Sequence, residues 1–210
     1  MQIFDAAQLS AGDFDQILSF LRAGGVIGFP TDTAYGLGAD PFNEGAVRRI
    51  FEIKGRPESR PILVLVDSMS MLRQTAVDSD IANVLARRFW PGPLTMILPA
   101  LRTVPRLVTA GTGTIGVRWP LAPFAMRLVH AFGGPITATS ANMSGQRAST
   151  TAAEVREQLG MDLEMLIDGG TLPAPEGSTV LDLTMDQPRL VREGPLSRDV
   201  LREALDGNLQ

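Results

Sequence analysis

Ile62-Leu63-Val64-Leu65-Val66 is an unbroken run of β-favouring apolar residues. A strand with one wet face alternates apolar and polar side chains, whereas a continuous run suits a strand buried on both faces, in a sheet covered by helices. Helix signals surround it. Upstream, Asn43 stands as an N-cap before a segment reaching about Ile53, with Val47, Ile50 and Phe51 on its apolar side. Downstream, helices are predicted near 68–76 and 80–90, and Pro91-Gly92-Pro93 breaks the chain before a strand from Leu94 to Leu98.

Further out, Phe14 to Arg22 reads as an amphipathic helix with Asp13 as N-cap and Gly24-Gly25 as stop, followed by a short buried strand, Val26-Ile27-Gly28-Phe29. Past residue 98 come a strand over Thr114 to Arg118, a helix carrying His130, a strand from Ile136 to Thr139, and a helix over 152–159 capped by Thr150 or Thr151. Strands near 164–167, 179–183 and 189–192 and a polar helix from Ser197 complete the set. No repeat or low-complexity linker divides the chain, so residues 1–210 read as one α/β domain. Some strands, as across Pro99 to Gly113, connect without a helix between them, which predicts a mixed parallel and antiparallel sheet.

Composition narrows the chemistry. A chain of 210 residues buries about 70% of its unfolded surface and needs no disulfide or metal to stand. With 44% hydrophobic and 20% charged residues it has a soluble globular profile. The absence of a signal-like opening or an apolar run of membrane length makes a cytoplasmic protein the simplest reading. There is no cysteine and one histidine, so thiol nucleophiles, Ser-His-Asp sites and multi-histidine metal sites are disfavoured. His130 sits near a helix C-terminus, where the dipole favours it and a structural role suffices. Catalysis would then rest on charge stabilisation and positioning, which suits transfer at phosphorus. A net charge of −4 argues against bulk affinity for nucleic acid, though not against a local basic cleft.

Positive charge is carried by 18 arginines and a single lysine, Lys54, in Ile53-Lys54-Gly55-Arg56-Pro57. Lysine supplies a compact point charge where arginine supplies a planar fork. Lys54, Arg56 and Arg60 crowd three cations into seven residues, and a polyanion is the natural partner for such a group. Two polar loops follow strands, where α/β proteins place ligands. Pro30-Thr31-Asp32-Thr33-Ala34-Tyr35-Gly36-Leu37-Gly38 brings hydroxyls, a carboxylate and the sole tyrosine together, and Ser140-Ala141-Asn142-Met143-Ser144-Gly145 offers small donors to anionic oxygens. Arg118, at the end of a strand, is placed to fork around a carboxylate. Gly111-Thr112-Gly113-Thr114-Ile115-Gly116 matches G-x-G-x-x-G but precedes a strand, so the dinucleotide-binding context is missing, and no Walker A sequence is present.

Taken in order, Pro30 to Leu37, Lys54-Gly55-Arg56-Pro57, Trp90-Pro91-Gly92-Pro93-Leu94-Thr95, Gly116-Val117-Arg118-Trp119-Pro120, Thr139 to Gly145, Gly177-Ser178-Thr179-Val180 and Val191-Arg192-Glu193-Gly194 resemble the YrdC-type threonylcarbamoyl-AMP synthase family over roughly residues 15 to 195. The resemblance implies a twisted mixed sheet with flanking helices around a large, concave, positively lined cavity. It implies an enzyme that condenses L-threonine, bicarbonate and ATP, with Mg²⁺, into L-threonylcarbamoyladenylate and pyrophosphate. A separate tRNA threonylcarbamoyl transferase would use the product beside the anticodon, with weak or no direct tRNA binding by this chain and no membrane. By matched motif, Lys54 and Arg56 would be the catalytic cations on the ATP phosphates, joined at ATP by Arg60, Thr114, Ser140, Asn142 and Arg192. Thr31, Thr33, Tyr35, Arg118 and Ser178 would bind threonine, Arg118 through its carboxylate, with no protein ligand assigned to the metal.

Arg60, Leu65 and Ala148 depart from the family pattern, which often has asparagine, histidine and serine there, and the length matches the family's short form. Two other readings stand beside the synthase. One is a non-catalytic RNA-binding module, disfavoured by the lack of aromatic residues among the cations. The other is a diverged nucleotide-binding paralogue, disfavoured by intact Lys54, Arg56, Ser140 and Asn142.

Overall fold

The computed structural model describes residues 1–173 and 177–210. The elements run β1 (Gln2–Asp5), α1 (Ala11–Arg22), β2 (Ile27–Phe29), β3 (Gly36–Gly38), α2 (Glu44–Lys54), β4 (Val64–Leu65), α3 (Met69–Leu72), α4 (Asp80–Phe89), β5 (Leu94–Pro99), α5 (Arg106–Thr109), β6 (Thr114–Arg118), α6 (Pro123–Phe132), β7 (Ile136–Thr137), β8 (Thr139–Ser140), α7 (Ala152–Leu159), β9 (Met165–Asp168), β10 (Thr179–Asp182), β11 (Arg189–Arg192) and α8 (Arg198–Ala204). The sheet is mixed, as the uncovered strand connections require, but there are two of them. One has the order β1-β9-β2-β3-β8 and the other β11-β10-β5-β6-β4-β7. In the first, β9 is parallel to both β1 and β2, while β3 is antiparallel to β2 and β8. In the second, β4 with β6 and β5 with β10 are parallel pairs, and the remaining pairs are antiparallel.

Local chemistry sets the helix starts. Ser10 caps α1, with Asp13 three residues on returning the bond in a capping box. The cap is therefore Ser10, and Asp13 lies inside the helix. Asn43 caps α2 through Ala46 N, and Thr151 with Glu154 forms a second capping box on α7. The helix expected over 68–76 is a single turn, because Thr75, Ala76 and Val77 leave it to bond the chain at 99–101. The connection from Pro99 to Gly113, read as helix-free, contains the short α5. The apolar run at 62–66 is buried as expected apart from half-buried Leu63, yet only Val64 and Leu65 pair as strand. Ile62 N instead meets Val108 O.

The two sheets meet at Ala138. β7 pairs with β4 in the second sheet, one residue passes, and β8 pairs with β3 in the first. Fully buried Thr137 stitches the crossing. Its N–H donates to Ala39 O at 2.9 Å, its Oγ1 accepts Ala39 N at 2.9 Å, and Oγ1 donates to Leu37 O at 3.3 Å. The strand predicted over 136–139 is thus two short strands serving different sheets. β3 has little β-propensity of its own, but Gly38 lets it pass the Phe29 ring, which a Cβ would approach to 2.8 Å.

Thr137→Val keeps the shape of the side chain while leaving the Ala39 N–H without an acceptor. It is expected to cost about 1–3 kcal/mol, read as a lower urea midpoint at unchanged slope; an unchanged midpoint would show that the seam does not depend on this hydroxyl.

Candidate active site

Between the diverging sheets lies a cavity of about 400 Å³. The loop from β2 into β3 contributes Thr31, Thr33, Ala34, Tyr35 and Gly36. The second sheet contributes Leu63, Leu65, Thr95, Ile97, Thr114, Gly116, Arg118 and Val180, and the crossing itself contributes Ala138, Thr139 and Ser140. Three guanidiniums, of Arg56, Arg118 and Arg192, share this wall with hydroxyls on an apolar floor. Of the residues expected at the site, the fold brings together Thr31, Thr33, Tyr35, Arg56, Thr114, Arg118, Ser140, Ser178 and Arg192.

Arg118 ends β6, is 4% exposed, and is fixed on three sides. Its Nε donates to Gly92 O at 3.3 Å, one terminal nitrogen donates to Thr33 Oγ1 at 3.1 Å, and the other is paired with Asp32. A guanidinium carries five N–H donors, so donors remain for a ligand in the cavity. Thr33 is held in turn by Thr31, whose Oγ1 donates to Ala34 O at 2.7 Å and accepts Thr33 N at 3.2 Å.

Arg192 lies over Gly177, where a Cβ would come within 3.0 Å of the guanidinium. Its Nε donates to Ser178 O at 2.9 Å and a terminal nitrogen to Ser178 Oγ at 3.3 Å, while Ser178 Oγ and Thr95 Oγ1 are 2.7 Å apart. Arg56 donates to Thr139 Oγ1 at 3.0 Å and Pro61 O at 2.9 Å, and its Nε is buried without a partner among the described residues. Burial, then proximity to Arg118, disfavours the charge on Arg192; burial, then Arg60, does so on Arg56. Neither guanidinium pairs with a carboxylate among the described residues. An anion in the cavity would relieve both.

Other expected residues lie elsewhere. Lys54, the last residue of α2, is 2% exposed and sits behind the wall, its Nζ donating to Ser140 O, Asn142 O at 2.7 Å and Asn142 Oδ1 at 3.4 Å. Burial and Arg56 push its ammonium down to about 7, against the pull of these oxygens. Asn142 is likewise behind the wall, and Arg60 is exposed on the turn after Pro57, outside the lining. Tyr35 borders the cavity, but its hydroxyl points away, accepting Gly169 N at 2.9 Å and donating to Gly170 O at 2.8 Å. It anchors the loop at the end of β9 and has no free hydroxyl for a ligand. His130 is exposed against Asp67 at 3.0 Å, away from the cavity. Leu65 and Ala148, two of the departures from the family pattern, both line it.

Asp32, Thr95 and Thr139 were not among the expected site residues. Thr95 had a readable signal, a lone hydroxyl inside the apolar strand Leu94 to Leu98. Asp32 and Thr139 stood in segments singled out in the sequence, but their particular partners, Arg118 and Arg56, lie far along the chain. Among the described residues no group of three or more acidic or histidine side chains could hold a metal ion, and no helix is long and apolar enough to cross a membrane.

The two-sheet fold and its guanidinium-lined cleft place the chain in the class of α/β proteins with a site suited to anions. Within that class, the chain belongs to the Sua5/YciO/YrdC family, whose model, described as telomere recombination, matches residues 19–194. It is 42% identical to a threonylcarbamoyl-AMP synthase of Pyrococcus abyssi over 187 residues, 89% of this chain and 55% of the relative. It is 39% identical to the Bacillus subtilis threonylcarbamoyl-AMP synthase over 203 residues, 94% of this chain and 58% of the relative. The chain therefore spans little more than half the length of these curated relatives. The solved structure of P. abyssi Sua5 complexed with L-threonine superposes with a TM-score of 0.95 at 38% identity, covering 100% of this chain and 63% of that one.

Burial pushes the Tyr35 phenol from 10.0 up to about 12. The folded protein therefore keeps a proton that the unfolded chain sheds near pH 10, and this contribution to stability is lost as pH rises from 10 to about 12. Tyr35→Phe should lack that loss, and should cost about 1–3 kcal/mol at neutral pH by orphaning Gly169 N. Denaturant midpoints of both proteins across this pH range test the point, and parallel curves would refute it.

Proposed function

We propose that the chain is a threonylcarbamoyl-AMP synthase acting with ATP, L-threonine and bicarbonate. The observation that carries this reading is one cavity holding three guanidiniums, two of them bonded, among the described residues, to neutral oxygens alone. Such a wall suits a substrate pair with several negative charges. The names of the two curated relatives and of the threonine-bound Sua5 structure support the choice of substrates.

In this reading Arg118, braced by Asp32 and Thr33, takes the threonine carboxylate. Thr31 shapes the loop behind it, and Ser178 with Thr95 offers hydroxyls nearby. Arg56 and Arg192 meet the phosphates, with Ser140 and Thr114 beside them, while Lys54 and Asn142 act from behind the wall and Arg60 from outside. The amine of threonine loses a proton and combines with bicarbonate, expelling water, to give a carbamate. A carbamate oxygen then attacks the α-phosphorus of ATP and pyrophosphate leaves. The substrates supply the nucleophile, so the protein's task is to hold two anions together and to neutralise charge that builds on the leaving phosphates. Mg²⁺ would enter on the ATP phosphates, since the described lining residues offer no carboxylate cage. The adenylate would pass to a tRNA threonylcarbamoyl transferase. Direct tRNA binding by this chain is disfavoured by its net charge of −4.

Incubation with ATP, Mg²⁺, bicarbonate and L-threonine should yield threonylcarbamoyl-AMP by mass spectrometry. No adduct, together with tight RNA binding, would replace this reading with the RNA-binding one. Arg118→Lys keeps a charge beside Asp32 but loses the fork, and should raise the threonine KM about tenfold or more with kcat less affected. An unaltered KM would remove Arg118 from the threonine site.

A further inference from the structure

Lys54 is the one lysine among 19 basic side chains, and it is nearly fully buried. An ammonium has three N–H donors and no acceptor. Three oxygens meet it here: the carbonyls of Ser140 and Asn142 and the side-chain oxygen of Asn142. No donor is left over for a phosphate. The contact is also returned, because the backbone carbonyl of Lys54 accepts Ser144 N at 2.9 Å. Asn142 continues the network, its Nδ2 donating to Met143 O and Gln146 O, both at 2.8 Å. The end of α2 and the loop from Ser140 to Gln146 are thus closed on one another by bonds running both ways.

We propose that Lys54 is a positioning residue, whose ammonium gathers the carbonyls of Ser140 and Asn142 behind the cavity wall and so holds the loop in the shape that presents Ser140 to the nucleotide. The proposal rests on the synthase reading for the word nucleotide, but the clasp itself does not. It also explains the choice of side chain. Convergent carbonyl oxygens suit a compact, three-donor head; a planar guanidinium spreads its donors over a wider, rigid fork. A chain that uses arginine at every other basic position keeps lysine where only the smaller head fits.

Lys54→Arg and Lys54→Met separate positioning from phosphate contact. Hydrogen–deuterium exchange of the amides from residue 141 to 146 is measured without any ligand, and affinities for ATP and AMP are measured by calorimetry. Positioning requires both variants to exchange faster by about tenfold or more in this loop and to lose ATP and AMP affinity by similar factors, with arginine no rescue. Lys54→Arg binding ATP as the wild type does, or loop exchange unchanged in both variants, would overturn the proposal. Should Lys54→Met fail to fold, Lys54→Arg still decides, because it keeps the charge and changes only the geometry. If the wild type binds neither nucleotide the synthase reading fails, while the exchange result still judges the clasp.

Discussion

The crossing at Ala138 is the constraint on which the rest of the molecule hangs. Two twisted sheets that share a core but not a strand ladder would slide past one another unless something fixed their relative height. Thr137 does so, because its backbone and hydroxyl bond to Leu37 of β3 and to Ala39 just beyond it while it pairs in the second sheet. The next residues, Ala138 to Ser140, then lie at the mouth of the wedge between the sheets, and they line the cavity. The distance between Arg118 on the second sheet and the Thr31–Thr33 turn off the first is therefore set by the seam. The 3.1 Å contact from Arg118 to Thr33 spans it a second time.

Electrostatics then does what the seam permits. Placing three guanidiniums in one cleft is unfavourable unless each has oxygen partners, and the fold answers with carbonyls and hydroxyls more than with carboxylates. Among the described residues only Arg118 receives a full counter-charge, from Asp32. The result is a cleft whose guanidiniums are hydrogen-bonded before any ligand arrives and, among the described residues, short of negative charge. Preorganisation of this kind spares a ligand the cost of arranging the donors at the moment of binding.

Much of this was legible in the sequence where local chemistry decides. The capping residues Asn43 and Thr151, the strand from Thr114 to Arg118 and the two polar loops after strands could be read directly, as could the place of Arg118 at a strand end. Legibility failed where distant residues decide. β3, a Gly-Leu-Gly segment, is a strand because β2 and β8 flank it. Tyr35 read as a ligand contact because its neighbours were polar, yet its hydroxyl is claimed by Gly169 and Gly170, more than a hundred residues away. Lys54 read as a phosphate ligand by motif, and the oxygens that occupy it come from the loop that motif shares a site with. The split of residues 136–140 between two sheets is marked in the sequence only by Ala138, too slight a break to divide one strand into two.

The burial of Lys54 has a further chemical meaning. The chain has no thiol, and its single side-chain amine is enclosed and committed to three oxygens. In the proposed reaction an acyl phosphate anhydride between these sheets would meet guanidiniums, which stay protonated, and the hydroxyl pairs of Thr31 with Thr33 and of Ser178 with Thr95. The described side chains that line the cavity include neither a thiol nor an amine, the two groups that an electrophile would acylate most readily.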